Sequence, residues 1–372
     1  MQITGLDVVR VGVNHRGDWL FVRLLTDEGL TGLGEASHGG SDPERDAIVT
    51  AILEQQCLPL LRGRDPRAVV PAVAALQRIA RGFAAATAIS ACEQALWDLA
   101  GQAAGQPVYR LLGGPTRERI PLYANINRAT VERTPEGFAQ CAAAAASEGF
   151  AAIKCAPFDG MERHRVHDRD QRERIRHGLA CVAAVRDAVG PAVDVLVDCH
   201  SHFDLPTAVE VAEQLHALGV TWFEEPLPTA DLDALTRLRS LVPGMEAIGG
   251  EELYGIEGFW PYLATGIWDL VMPDVKHCGG IAALLAIAHV ATARGIGVAP
   301  HNPSGPVAMA ASAHATAALP HVRALEYAWG EVPWRADLLS PRECILDGEF
   351  VLPSTPGLGV TLNEDVVAAH RT

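Results

Sequence analysis

Seven polar residues, Lys154, Asp198, Glu224, Glu251, Asp274, His301 and Glu326, each close a short apolar run of the chain. From Asp198 onward they follow one another at intervals of 26, 27, 23, 27 and 25 residues. Each interval is about the length of one strand plus one helix. A lone carboxylate at such a place is ordinarily a surface group or a satisfied core residue. Six of them in register predict parallel strands whose ends converge on one rim.

The chemistry open to that rim follows from the residue types. Asp198, Glu224 and Glu251 are the oxygen ligands that a hard divalent cation takes, and Mg²⁺ leaves positions for water and substrate. Without a cation, three buried anions repel one another and take up protons. No thiol or imidazole falls at these positions, so zinc fits poorly. A cation so held can bind a substrate carboxylate and stabilise the charge left when the neighbouring α-proton departs. Asp274 and His301 then form an acid–base dyad. Lys154 is either a second proton-transfer group with a lowered pKa or a point charge for the substrate carboxylate. His200 shares strand parity with Asp198 in "DVLVDCH". It stands where a leaving hydroxyl would need a proton, which favours dehydration. Lys276 has the parity of Asp274 and is a further acid or base, whereas His277, Glu225 and Glu252 fall off parity. Tyr123, Asn125 and Asn127 alternate along "LYANIN" and either bind substrate hydroxyls or pack the core.

The elements that must position these groups are readable in outline. "ITGLDVVRVGV" and "DWLFVRLLTDEGLTGLGEA" predict strands with a hairpin at "DEG", and helical periodicity then runs to "ATAISACEQALWDLAGQAAG". An α+β capping domain over residues 1–117 is expected. From 118 to 335 eight strand-like runs alternate with Ala/Leu-rich helical stretches, from "IPLYANIN" to "RALEYAW". That pattern predicts an α/β barrel of TIM type, and residues 336–372 are expected to return to the capping domain. The mixed-charge stretch "MERHRVHDRDQRERIRHG" reads as a solvated helix or loop. A net charge of −15 argues against nucleic-acid and anionic-lipid partners. The opening residues lack the plan of a secretory signal, and eight cysteines occur without a C-x-x-C pair. A cytoplasmic protein with reduced thiols and no membrane partner is expected.

The motifs "VDCH", "WFEEP", "GGEE", "MPDVKHCGG", "PHNPSGP" and "LEY" resemble the enolase superfamily in its mandelate racemase branch, over nearly the full length. The resemblance implies a modified (β/α)7β barrel under an α+β cap and Mg²⁺ on Asp198, Glu224 and Glu251. It also implies the Asp274–His301 dyad, Glu326 near the substrate carboxylate, and a homo-oligomer, dimer or octamer. Racemases of the branch carry K-x-K on the second barrel strand, whereas here Ala156 follows Lys154 and Cys155. The D-x-H of Asp198 and His200 is similar to acid-sugar dehydratases, in which the histidine is the general acid. In wording, "IKCAPFD", "VDCHSHFD" and "PDVKHCGG" look most like the cis-3-hydroxy-L-proline dehydratases. That likeness implies loss of water from a small hydroxylated imino acid, with Lys154 and Lys276 as the acid–base pair. Glu326, Tyr327 and Trp329 would then surround the ring cation. Arg16, Trp19 and His38, on capping loops, are expected substrate contacts.

Overall fold

The computed structural model describes residues 1–14, 17–37 and 42–372; Arg16 and His38 therefore lie outside the described residues. Strands β1 (Ile3–Asn14), β2 (Gly17–Thr26) and β3 (Thr31–Glu35) form an antiparallel sheet. Gly29, at a φ of 81°, closes the turn between β2 and β3 at the expected "DEG". Helices α1 (Pro43–Ile52), α2 (Leu58–Leu61), α3 (Val69–Leu76), α4 (Phe83–Ala104) and α5 (Val108–Leu111) follow. The long α4 lies directly on β3, where a Cβ added to Gly34 would stand 2.0 Å from the Ala91 carbonyl oxygen. No residue with a side chain fits there, so the glycine sets the closeness of sheet and helix.

The barrel strands are β4 (Arg119–Asn125), β5 (Ala152–Cys155), β6 (Asp194–Asp198), β7 (Trp222–Glu224), β8 (Glu246–Gly249), β9 (Leu270–Val271), β10 (Gly297–Val298) and β11 (Leu325–Ala328). They pair in parallel and in order from β4 to β10, and β11 pairs back onto β4. Two backbone bonds, Arg323 N–H to Val298 O and Glu326 N–H to Pro300 O, join β10 to β11 and close the ring. Helices α6 (Pro135–Ser147), α7 (Arg169–Val189), α8 (Leu205–Ala217), α9 (Leu232–Leu241), α10 (Gly255–Thr265), α11 (Ile281–Ala293) and α12 (Pro306–Ala317) fill the seven crossovers. The result is the expected (β/α)7β barrel. Half of the mixed-charge stretch is the exposed start of α7.

Strand alternation sorts the side chains into two cores. In β6, Val195 and Val197 face the helices, whereas Leu196 joins Tyr123, Trp222, Ile248, Leu270, Met272 and Ala299 inside the barrel. Asp198 continues the inward parity one pleat above Leu196, as Glu224 does above Trp222. The polar rim is therefore the top of a packed apolar plug. Beyond β11, the pairs β12 (Leu339–Ser340) with β15 (Thr361–Leu362) and β13 (Ile345–Leu346) with β14 (Glu349–Val351) precede α13 (Glu364–His370). Arg371 bridges Val11 of β1, and Glu364 meets Arg23 of β2. All eight cysteines are free thiols. Among the described residues no helix is long and apolar enough to cross a membrane.

Buried carboxylates fasten the cap to the barrel. Glu35 accepts from Gly305 N–H and Ala308 N–H, each at 2.7 Å, at the start of α12. Glu93 accepts from Ile281 N–H at 2.6 Å and Ala282 N–H at 2.9 Å at the start of α11. Neither helix has a side-chain cap of its own, so each carboxylate satisfies donors that would otherwise be orphaned, at the positive end of a helix dipole. A Cβ on Gly280 would collide with the Glu93 carboxylate at 2.0 Å. Asp98 accepts from Leu33 N–H and Leu358 N–H, tying α4 to β3 and to the C-terminal segment. We expect Glu35→Ala to leave two buried N–H groups unpaired and lower stability by about 3 kcal/mol, read as a shift of the urea midpoint. An unshifted midpoint would contradict this fastening.

His314 of α12 is a further fastener. Its Nδ1 accepts from Tyr109 N–H at 3.1 Å, its Nε2 donates to Leu358 O at 3.0 Å, and the ring is therefore neutral. Burial pushes its pKa down to about 4. In the unfolded chain the ring titrates near 6.5, so the unfolded state binds more protons between the two values. The stability tied to this neutral ring is complete above the unfolded value and is lost as pH falls through the folded one. The expected loss from this group between about pH 7 and pH 5 is about 2 kcal/mol. Urea titrations at several pH values should show a shallower acid slope for His314→Gln than for the parent, and equal slopes would contradict the assignment.

Candidate active site at the barrel mouth

Asp198 and Glu224 are the last residues of β6 and β7, paired in register. Glu251 follows β8 by two residues. One oxygen from each of the three lies within 4.8 Å of the others. Burial and the neighbouring Asp198 hold the Glu224 carboxyl well above the usual range, and burial with Glu225 and Asp198 does the same for Glu251. For Asp198 burial acts in the same sense, but His200 and Lys154 outweigh it and keep it ionised. Glu251 Oε2 is buried without a hydrogen-bond partner, although His301 Nε2 stands 3.2 Å away. An all-oxygen trio with one unsatisfied buried acceptor and mutual repulsion is what a hard cation relieves.

Lys154 rises from β5 beneath this trio. Its Nζ lies 2.6 Å from Glu224 Oε1, 2.9 Å from Glu326 Oε1 and 3.6 Å from Asp198 Oδ2. Burial alone would lower its pKa, yet Glu224, Glu326, Tyr123 and Asp198 outweigh burial and raise it well above the ordinary lysine value. The ammonium is a buried counter-charge held among carboxylates, whereas the lowered value expected from sequence supposed a metal ion beside it. Glu326, on β11, also accepts from Asn125 Nδ2 at 2.7 Å and from Asn302 N–H at 3.0 Å.

Asp274 follows β9 and His301 follows β10. His301 Nδ1 meets Asp274 Oδ2 at 2.7 Å, which leaves Nε2 facing Glu251 and, at 3.7 Å, Glu326. Lys276 Nζ shares the same Asp274 oxygen at 2.5 Å. Burial would raise the Asp274 carboxyl, but Lys276, His277 and His301 hold it well below the usual range. Asp274 therefore orients both side chains. His277 turns to the cap, with Nδ1 3.0 Å from Thr87 Oγ1.

His200 sits beyond β6 with a φ of 42° and Ser201 at 58°, so the strand ends in a left-handed turn. The backbone N–H of His200 donates to Asp198 Oδ1 at 3.0 Å, its Nε2 stands 3.1 Å from Asp198 Oδ2, and its Nδ1 lies 2.6 Å from Asp159 Oδ1. β6 and β10 are four strands apart in a ring of eight, so His200 and His301 face each other across the mouth.

Four expected contacts fall elsewhere. Tyr123 lies one pleat too deep, buried against Trp222 with its ring under Lys154 Nζ, and serves the barrel core. Trp329 is three residues from Glu326 and so faces outward, where Nε1 donates to Glu148 Oε2 at 2.9 Å. Tyr327 stacks on Phe150 on the same outer side. Trp19 is buried between Phe21, Trp334 and Arg335. Asn127 keeps its place at the rim but donates to Asp159 Oδ2 at 3.1 Å. Asp159 itself escaped sequence reasoning, because it lies in an aperiodic loop four residues past Cys155.

Residues 8–113 match the mandelate racemase/muconate lactonizing enzyme N-terminal domain, and residues 137–366 match the enolase C-terminal domain-like family. The chain belongs to the mandelate racemase/muconate lactonizing enzyme family and is an enzyme of the enolase superfamily. It is 33% identical to a D-gluconate dehydratase of Thermoproteus tenax over 95% of this chain and 69% of that one. It is also 33% identical to a D-xylonate dehydratase of Haloferax volcanii, over 99% and 89%. A crystal structure of a mandelate racemase/muconate lactonizing enzyme-like protein from Rubrobacter xylanophilus superposes with a TM-score of 0.89 at 34% identity, covering 100% and 98%.

Removing the buried counter-charge should be costly. We expect Lys154→Met to lower the stability of the metal-free protein by about 3 kcal/mol, measured by urea unfolding in EDTA. Unchanged stability would show that the three carboxylates do not depend on the ammonium.

Proposed function

We propose that the protein is a Mg²⁺-dependent dehydratase of aldonic acids, the open-chain hydroxy acids derived from sugars. The observation that carries this reading is the placement of two histidines, each backed by a carboxylate, on opposite sides of a carboxylate trio. Elimination needs a base on one side and an acid at the leaving group. Asp198, Glu224 and Glu251 would hold the ion, and Mg²⁺ bound there supplies the Lewis acidity that stabilises charge developing on the substrate carboxylate.

His301 Nε2 takes the α-proton, with Asp274 holding Nδ1. The C–H electron pair moves toward the carboxyl carbon and then forms the Cα–Cβ double bond as the Cβ–O bond breaks. The departing hydroxyl takes the Nε2 proton of His200 and leaves as water, and the enol tautomerises to a 2-keto-3-deoxy acid. Lys154 and Glu326 form the charged floor, and Asn125 orients Glu326. Lys276 holds Asp274 in place beside His301.

The dehydratases of D-gluconate and D-xylonate among the relatives support an aldonate substrate. Motif wording alone favours cis-3-hydroxy-L-proline, and the aromatic faces that its ring cation would use, Tyr327 and Trp329, point out of the barrel. Racemisation has weaker support, since Ala156 offers no second base and Lys154 is committed to three carboxylates.

The test is a panel of D-gluconate, D-xylonate, D-galactonate and cis-3-hydroxy-L-proline with Mg²⁺, assayed for carbonyl product. We expect turnover of at least one aldonate, lost on EDTA treatment and reduced about 1,000-fold in His301→Asn. Product from hydroxyproline alone would refute the substrate class. Inversion at Cα without loss of water would refute dehydration.

A further inference from the structure

We infer that Asp159 is the positioning residue for His200, holding its ring by Nδ1 so that Nε2 is turned to the carboxylate trio, beside Asp198, where the leaving hydroxyl of a bound substrate would lie. The inference rests on the dehydratase reading above and assigns a role to a residue outside the trio and the Asp274–His301 dyad. Asp159 Oδ1 is 2.6 Å from His200 Nδ1, which makes Nδ1 the protonated nitrogen of that contact. The other oxygen, Oδ2, accepts from Asn127 Nδ2 at 3.1 Å and Arg133 Nη2 at 3.2 Å. Arg133 is itself held by Asn127 Oδ1 at 2.6 Å and by the Ala156 carbonyl. Asn127 and Arg133, past β4, thus hold the β5-loop carboxylate that binds the imidazole past β6.

Apolar anchors keep both partners in place. Phe158, next to Asp159, meets Phe203, three residues past His200, edge to face with centroids 5.0 Å apart, and both rings are buried. The left-handed backbone at His200 and Ser201 leaves the strand path and swings the ring toward the β5 loop. Both ring nitrogens of His200 meet carboxylates, Nδ1 that of Asp159 and Nε2 that of Asp198 at 3.1 Å, and the Asp159 contact is the one that turns Nε2 toward the trio. With Nδ1–H on Asp159, one proton passes from Nε2 to the departing hydroxyl while the Nδ1 proton stays where it is. The arrangement mirrors the Asp274–His301 pair across the mouth, with the carboxylate again on Nδ1.

The experiment compares the full-length parent, Asp159→Ala and Asp159→Asn with Mg²⁺ and the aldonate that the parent turns over. Dehydration is followed by keto-acid formation, and α-proton exchange by deuterium uptake into recovered substrate in D₂O. We expect Asp159→Ala to lose about 100-fold in dehydration kcat, with KM and the exchange rate kept within about threefold. Asp159→Asn, which preserves side-chain volume and guards against a folding failure, should shift the same partition in the same direction. Unchanged dehydration would overturn the inference, as would exchange falling in step with dehydration.

A second readout needs no substrate. In selectively ¹⁵N-histidine-labelled protein, the His200 signal, assigned by its loss in His200→Ala, should show a hydrogen-bonded Nδ1–H in the parent that disappears in Asp159→Asn or Asp159→Ala. A parent without that proton would overturn the inference. If the parent dehydrates no aldonate, the functional reading fails on that result, and the nitrogen spectrum alone decides the role of Asp159.

Discussion

Gathering Asp198, Glu224 and Glu251 within 4.8 Å at a buried barrel mouth sets the electrostatic problem that the surrounding structure answers. Like charges at that spacing in low dielectric cannot all stay ionised without compensation. Lys154 gives one compensating charge from below and His200 another from the side. Glu251, farthest from the lysine, has an oxygen without a hydrogen bond, with only His301 Nε2 close by at 3.2 Å. A divalent cation would complete the balance, and the same charge arrangement would then serve the proposed chemistry.

That arrangement tolerates little movement, and the fold is fastened accordingly. The apolar plug of Leu196, Trp222, Ile248 and Met272 fills the barrel directly below the carboxylates. Trp222 Nε1 also donates to Glu224 Oε2 at 2.8 Å, so the plug orients a rim oxygen as well as supporting it. From above, Glu35 and Glu93 attach the cap to α12 and α11 through backbone donors. These are the helices that follow β10 and β9, which precede His301 and Asp274. The cap is thus tied to the same crossovers that carry the dyad.

Much of this was legible in the chain, for a definite reason. Period-two alternation places Asp198 above Leu196 and Glu224 above Trp222, so strand runs with polar ends state both fold and rim. The same rule correctly applied excludes Trp329, which is an odd number of residues from Glu326 and must face outward. Tyr123 shows its limit, since alternation gives the face but not the depth. The three carboxylates around Lys154 come from three other strands, and their distances are not written in spacing. Asp159 and Glu93 were missed for a related reason. One lies in a loop with no period, and the other sits in an Ala-rich helix where a buried carboxylate finds its donors far along the chain.

The chemistry of the mouth turns on whether the trio holds one ion. Crystals of the protein grown with Mn²⁺ in place of Mg²⁺ would locate it by anomalous scattering. A single peak about 2.1–2.2 Å from one oxygen each of Asp198, Glu224 and Glu251 is the predicted result. A peak elsewhere, or none in the mouth, would contradict it.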